Sequence, residues 1–130
     1  MSYSTNNPAE LRQSETASLI AASKVNGTSV YDASGESIGS IYDVMLDKRS
    51  GRVSYAVLSF GGFLGIGERY HPVPWNALIY SEDLGGYVVN LDRTRLEGAP
   101  SYAASDTPDW SSPVYQGGID EYYGAGAATL

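Results

Sequence analysis

Short apolar stretches separated by turn residues make up most of the chain between residues 19 and 102. Their length and their separation by Gly, Asp, Asn, Ser and Pro are typical of β-strands joined by tight turns. Strands are predicted at residues 19–22, 28–32, 38–47, 52–60, 68–73 and 87–91, with a helical turn running into a further strand at 75–80. Residues 23–27 read as a turn or single helical turn, and residues 94–98 as a short helix. The pattern predicts a mainly β fold with short helical turns.

The stretch 52–60 is apolar on both of its alternating faces. Its side chains divide into Val53, Tyr55 and Val57 on one face and Ala56, Leu58 and Phe60 on the other. A strand that is apolar on both faces is buried on both sides. We therefore expect one face to line the core and the other to be covered by a helix, by a tail of the chain or by another subunit.

The two ends of the chain differ from this central region, which we place at residues 19–102. Residues 1–18 are polar and predict a flexible arm, in which residues 7–10 could start only a marginal helix. Residues 103–130 are rich in Ser, Ala, Pro, Gly, Asp and Tyr without a sustained period, which predicts a flexible acidic tail. Four aromatic residues there, Trp110, Tyr115, Tyr122 and Tyr123, leave open that part of the tail folds back onto the barrel or onto a neighbouring subunit.

Composition narrows the classes of function. The 130 residues suffice for one domain with tails, and the absence of cysteine rules out disulfides and thiolate metal sites. The net charge of −7 argues against partners that are nucleic acids or anionic membranes, both of which need clustered Lys and Arg. Residues 1–8 lack the basic and apolar regions of a signal peptide, and no apolar run reaches the ~20 residues of a membrane span. These features predict a cytoplasmic protein that contacts neither membrane nor nucleic acid.

Glycine, aromatic and apolar residues occur in a characteristic order between residues 19 and 102. They are Gly27, Val30, Tyr31, Asp32, Gly35, Ile38, Gly39, Ile41, Tyr42, Asp43, Leu46, Asp47, Gly51, Arg52, Val53, Ala56, Val57, Leu58, the run 61–65, Val73, Pro74, Trp75, Leu96, Ala99 and Pro100. This order resembles the PRC-barrel family, which includes the cytoplasmic domain of the photosynthetic reaction-centre H subunit and the C-terminal domain of a ribosome maturation factor.

The resemblance implies a small PRC-type β-barrel, as in a stand-alone bacterial member of the family. It implies structural roles for seven positions: Gly35, Gly39, Asp43, Gly51, Pro74, Trp75 and Pro100. Because family members act mostly as adaptors in larger assemblies, it also implies no enzymatic activity, no catalytic residues and no cofactor. Neither of the two specific functions named above is carried over, because the chain has neither a preceding membrane helix nor the N-terminal domain of the ribosome factor.

A match to the nucleophile-elbow pattern G-x-S-x-G occurs at residues 35–39, with Ser37 at its centre. That motif requires a strand before it, a helix after it and a large α/β sheet, whereas here a strand is predicted to follow. His71, the single histidine, would have to serve as the base. A hydrolase using Ser37 and His71 is therefore the least favoured of the functions considered.

Ligand binding is the alternative function. Asp43, Asp47, Glu82 and Asp83 could bind a hard cation, but they are spread over separate strands and turns, so no metal site is predicted. The glycine-rich loop 61–67 could present backbone N–H groups to an anion. The alternative is thus a small-ligand or ion-binding domain that uses the acidic turns or this loop.

Apolar residues around the glycine loop favour self-association instead. Trp75 is expected to anchor the core, since Trp buries a large area. The candidate interface consists of Phe60, Phe63, Leu64, Ile66 and Tyr70. Exposed apolar clusters tend to mark protein contacts. The sequence therefore predicts a non-enzymatic module for protein–protein interaction or assembly, most simply a homodimer.

Overall fold

The structure is a computed structural model, and it describes residues 18–60 and 69–124. The predicted arm, apart from Ser18, and the predicted glycine loop lie outside the described residues. Six strands form one curled sheet in the order β4-β3-β2-β1-β6-β5. The strands are β1 (Ser29–Tyr31), β2 (Ser37–Leu46), β3 (Val53–Phe60), β4 (Arg69–Pro74), β5 (Leu78–Ser81) and β6 (Gly86–Val89). The helices are α1 (Ala22–Val25), α2 (Arg93–Glu97) and α3 (Pro113–Tyr122), with a 3-10 turn at Trp75–Ala77.

Tight turns let β2 and β3 pair along almost their whole length. Asp47 accepts hydrogen bonds from the backbone N–H groups of Arg49 and Ser50, and Gly51 takes a φ of +77°, which L side chains rarely adopt. Gly35, at a φ of +88°, serves the same purpose in the turn before β2. Position 39 requires glycine for lack of space, because a Cβ there would overlap the carbonyl oxygen of Ser59 on β3. The structural roles expected of these three glycines thus have distinct physical causes.

Both faces of β3 are buried, as the sequence predicts. Ala56, Leu58 and Phe60 lie in the main core, at most 4% exposed, together with Val30, Val73 and Val89 from other strands of the sheet. Tyr55 and Val57, on the opposite face, are 8% and 2% exposed and are therefore also buried. Trp75 packs against the main core, with its ring centroid 5.3 Å from that of Tyr87.

The predicted first strand at residues 19–22 is wrong. Ile20 makes a single β-bridge, and the chain then turns into α1. The carbonyl of Ala21 accepts hydrogen bonds from the N–H groups of Lys24 and Val25, and the Gly27 N–H donates to the Ile41 carbonyl on β2. The alanines favour helix over strand, and these bonds fix the short helix to the sheet.

The prediction of an irregular tail is wrong for α3, a ten-residue helix within residues 103–124. Ser112 caps its N-terminus by accepting from the Tyr115 N–H, and Pro113 occupies the first turn. Tyr115, Ile119 and Tyr123 lie four residues apart and therefore share one helix face. Ile119 is fully buried and Tyr123 packs against the main core, so this face docks on the sheet.

The helix α3 contains two glycines that the packing does not require. A Cβ at Gly117 or Gly118 would meet nothing within 4 Å, and both residues are exposed. Each substitution Gly→Ala at these positions should raise the free energy of unfolding by about 0.5–1 kcal/mol, because alanine loses less backbone entropy in a helix. Urea titration measures the change. Gly51→Ala, at a positive φ, should lower the same free energy by about 1 kcal/mol. Equal effects at all three positions would contradict the distinction between a glycine that the backbone requires and two that it does not.

Candidate interaction surface

The outer face of strands β3 and β4 is covered by the chain's own C-terminal segment, residues 102–123. Tyr102 forms a β-bridge with Tyr70, with both N–H to carbonyl distances at 2.9 Å. The bridge lies along the outer edge of β4, where Pro72 and Pro74 have no N–H to donate. This edge of the sheet is therefore closed by two prolines and a bridging residue.

Aromatic contacts hold the segment on that face. The Tyr70 ring lies 4.4 Å from that of Tyr42 and 5.6 Å from that of Tyr102, measured between centroids. Further along, the Tyr55 hydroxyl donates to Asp120 Oδ1 at 3.0 Å, and the Trp110 ring lies 5.9 Å from the Tyr55 ring. Burial and the bond to Asp120 raise the pKa of Tyr55 to about 12, so it stays a hydrogen-bond donor at neutral pH.

The C-terminal end of α3 contacts the short helix α2. The Tyr122 hydroxyl donates to the Arg95 carbonyl at 2.6 Å, and the Arg95 guanidinium lies 5.1 Å from the Tyr122 ring centroid. Burial raises the pKa of Tyr123, whose hydroxyl has no hydrogen-bond partner among residues 18–60 and 69–124. The segment from Tyr102 to Tyr123 is thus part of the folded unit.

The outer face of strands β1, β6 and β5 is different, because Ile79 and Leu84 stand exposed there. Ile79 is 67% exposed and faces Val88 across the β5–β6 pair, and Leu84, in the turn of this hairpin, is 39% exposed. The Tyr31 hydroxyl donates to the Leu84 carbonyl, so its ring borders the same surface. We call Tyr31, Ile79, Leu84 and Val88 the β5–β6 patch.

A groove of about 340 Å³ adjoins this patch where α3 ends. Its walls are mainly apolar, with two asparagine side chains among them. They comprise Asn76, Ala77, Ile79, Val89, Asn90, Leu91, Tyr123 and Gly124. Ile79 therefore lies between the patch and the groove, at the edge of the sheet.

The structure separates the residues that the sequence groups into one interface. Phe60 is 4% exposed and lies in the main core, where its ring contacts the edge of His71. Tyr70 is half-buried beneath Tyr42 and Tyr102. Phe63, Leu64 and Ile66 lie outside the described residues. The β5–β6 patch was missed because Ile79 lies within an apolar run, residues 77–80, that was assigned to a strand, and Leu84 lies in a predicted turn.

The two residues of the hydrolase hypothesis are not brought together. Ser37 begins β2 and is followed by strand rather than helix, so the elbow geometry is absent. His71 is on β4, and β3 lies between these strands, which puts the two backbones at least about 9 Å apart. His71 is 2% exposed, and desolvation lowers its pKa to about 4. A general base needs to reach both its nucleophile and its substrate, which this arrangement does not provide.

Two of the four acidic residues considered for cation binding, Asp43 and Asp47, serve local backbone geometry. Asp43 accepts a hydrogen bond from the Val44 N–H, and Asp47 is the turn residue of the β2–β3 hairpin. The N–H groups of Ser50 and Arg49 lower the pKa of Asp47. In the part of the chain that the structure describes, no three His, Asp or Glu side chains lie close enough to hold a metal ion.

Comparison with known families gives one decisive match. A family model described as PRC-barrel domain matches residues 18–96 of this chain, which is more than half of its length. The chain belongs to the PRC-barrel family. A search of curated proteins finds no match. The curled sheet and the short helices at its margins agree with this assignment, so the fold that the sequence predicts is confirmed.

The PRC-barrel match ends at Leu96, whereas the described fold continues to Gly124. The segment that closes the β4 edge and covers β3 therefore lies beyond the matched region. Within residues 18–60 and 69–124, no helix of this PRC-barrel protein is both long and apolar enough to cross a membrane.

Proposed function

We propose that this PRC-barrel protein is a non-enzymatic module for protein interaction or assembly that acts by self-association. The exposed β5–β6 hairpin supports the proposal best. Two large apolar side chains that are each more than a third exposed, Ile79 and Leu84, lie on this one hairpin, next to the half-buried Tyr31 and Val88. Grouped apolar exposure of this kind tends to mark a contact surface, whereas single exposed apolar residues are common everywhere.

The surroundings of the titratable groups support the non-enzymatic part of the proposal. A catalytic site brings groups with shifted pKa values together in a cleft. Here the three aspartates with lowered pKa values, Asp32, Asp47 and Asp109, each accept hydrogen bonds from neighbouring serines or backbone N–H groups in separate turns. His71 is enclosed by the core. The alternative, ligand or ion binding, has no comparable support among the described residues, and the cytoplasmic location stays a prediction from sequence.

Light scattering coupled to size exclusion tests the proposal on the full chain. We expect a dimer whose fraction grows with protein concentration over the micromolar range, as required by mass action. A protein that stays monomeric at the highest concentration would overturn self-association. A dimer that is equally populated after dilution to nanomolar concentration would indicate an obligate assembly and still support the proposal.

A further inference from the structure

The turn between α1 and β1 contains Asn26-Gly27, the one Asn-Gly pair in the chain. In such a pair the glycine nitrogen can attack the side-chain amide carbon of the asparagine, because glycine has no side chain to hinder the approach. Gly27 takes a φ of +91°, which L side chains rarely adopt, so this turn favours glycine there. Asn26 and Gly27 are both exposed to water. The turn therefore places a chemically reactive pair at the surface.

The fold protects the proton that this reaction must remove. The Gly27 N–H donates to the Ile41 carbonyl on β2 at 2.6 Å, and Ile41 is 1% exposed. The nitrogen becomes a nucleophile only after a base removes that proton. A hydrogen-bonded N–H is shielded from base until its bond opens, as in amide hydrogen exchange. Gly27 is thus unreactive while it is bonded to β2.

The backbone of Asn26 is a second obstacle. Its ψ is 130°, which is an extended conformation. A cyclic imide forms only when the Gly27 nitrogen eclipses the Asn26 Cβ about the Cα–C bond, and an extended ψ turns the nitrogen away. Rotation about this bond while Gly27 stays on β2 would move α1 off the sheet. The reaction therefore requires that the contact between α1 and β2 open.

We propose that Asn26 is a deamidation site that the fold keeps closed and that local opening of the α1–β2 contact exposes. In the open form the Gly27 nitrogen loses its proton to a solvent base and bonds to Asn26 Cγ, and the side-chain nitrogen takes a proton from water and leaves as ammonia. Water then cleaves one of the two C–N bonds of the imide. Cleavage at Cγ gives aspartate, and cleavage at the main-chain carbonyl gives isoaspartate. The inference does not depend on self-association.

Isoaspartate would make the opening permanent, because it adds one atom to the backbone between α1 and Gly27. Two hydrogen bonds span this point: the Thr28 N–H donates to the Val25 carbonyl at 3.0 Å, and the Thr28 hydroxyl donates to the Lys24 carbonyl at 2.8 Å. A longer backbone cannot keep both of them together with the bond from Gly27 to Ile41. The isoaspartate product thus loses contacts that protected Asn26, whereas the aspartate product keeps the normal backbone.

Peptide mapping by mass spectrometry tests the site in the full chain at mildly alkaline pH. We expect Asn26 to deamidate at least roughly tenfold more slowly in buffer than in guanidinium chloride that unfolds the chain, because only the open fraction reacts. Asn76 and Asn90, which precede Ala and Leu, are internal controls that should stay intact while Asn26 reacts in denaturant. Equal rates with and without denaturant would overturn the protection by the fold. An unmodified Asn26 in the unfolded chain would overturn the site.

Val25→Ala tests whether α1 controls the opening. Val25 is 6% exposed in the core, and its truncation should raise the deamidation rate in buffer by roughly threefold or more. Val114→Ala makes the same change at a site that is 85% exposed, and it should leave the rate unchanged. Equal rates in the two variants would overturn the role of α1. If Val25→Ala does not fold, hydrogen exchange of the wild-type Gly27 amide decides: slow exchange supports the proposal, and exchange at the unfolded rate overturns it.

Asn26→Asp separates the effect of the new charge from that of the added backbone atom. In the freshly purified variant the Gly27 amide should exchange as slowly as in the wild type. In the isoaspartate form, isolated by chromatography from aged wild-type protein, the same amide should lose most of its protection. Equal protection in the two forms would overturn the permanent opening.

Discussion

Ile119→Ala is expected to lower the free energy of unfolding by about 2–5 kcal/mol, the range measured for buried Ile or Leu truncated to Ala. Ile119 lies on α3, which is beyond the matched family region, and its side chain is fully buried against the outer face of the sheet. Its truncation would leave a cavity where α3 packs on the sheet. Urea unfolding followed by circular dichroism measures the change.

Val114→Ala is the matched control for Ile119→Ala. It also shortens a β-branched residue on α3, but Val114 is 85% exposed, so its effect should stay within about 0.5 kcal/mol. Limited proteolysis between residues 103 and 112 distinguishes global from local effects. If Ile119→Ala speeds cleavage there while the unfolding midpoint stays unchanged, α3 detaches by itself and does not belong to the cooperative unit.

The fold followed from the sequence where local signals and tertiary packing agree. Apolar residues at both odd and even positions of β3 predicted burial on both faces. The turn residues around Gly35 and Gly51 predicted the turns before and after β2. The strand prediction for residues 19–22 is wrong because four apolar residues are too few to distinguish a strand from a helix by their period. Hydrogen bonding around Ala21 and Gly27 then decided the outcome.

The helix α3 could have been predicted from its sequence, and the reason that it was missed is physical. Ser112 followed by Pro113 is a helix-start signal, and Tyr115, Ile119 and Tyr123 give the spacing of one face. Gly117 and Gly118, however, oppose the helix, and tyrosine carries an ambiguous hydrophobic signal. The helix is stabilised by docking on β4 and by the bond from Tyr55 to Asp120, which no local pattern contains.

The contact surface could not be predicted for a related reason. Exposure is a property of what covers a residue, and the covering segment is distant along the chain from the strands it covers. Phe60 and Ile79 are both large apolar residues in β-strands, yet one lies in the core and the other is 67% exposed. Their difference depends on sheet order and on the position of β5 at the edge, which are settled only by the assembled fold.

Acidification from pH 6.5 to pH 4 is expected to lower the free energy of unfolding by about 3 kcal/mol through His71 alone. Desolvation lowers the pKa of His71 from 6.5 to about 4; a backbone hydrogen bond at Arg69 opposes this shift, and the charge of Arg69 adds to it. His71 is 2% exposed, its Nδ1 has no hydrogen-bond partner among the described residues, and the Phe60 ring lies edge-on at 5.1 Å. Protonation in the folded state would place a charge in this apolar site.

The sign follows from proton binding. Between pH 6.5 and pH 4 the unfolded chain binds a proton at His71 and the folded chain does not, so the free energy of unfolding rises with pH across this window. Below pH 4 the His71 contribution levels off. The lowered pKa values of Asp32, Asp47 and Asp109 then matter, since the stability that they contribute is lost as pH falls through their folded pKa values.

His71→Phe tests this assignment, because it keeps a ring beside Phe60 and removes the titrating group. Since His71 is the single histidine of the chain, the variant should show a nearly flat free energy of unfolding between pH 6.5 and pH 5, where the aspartates with lowered pKa values stay ionised in both states. It should also be more stable than the wild type at pH 5, where the wild-type unfolded chain is protonated. Urea titrations at half-unit pH steps give both curves. Parallel slopes in the two proteins would show that carboxyl groups, and not His71, produce the acid sensitivity.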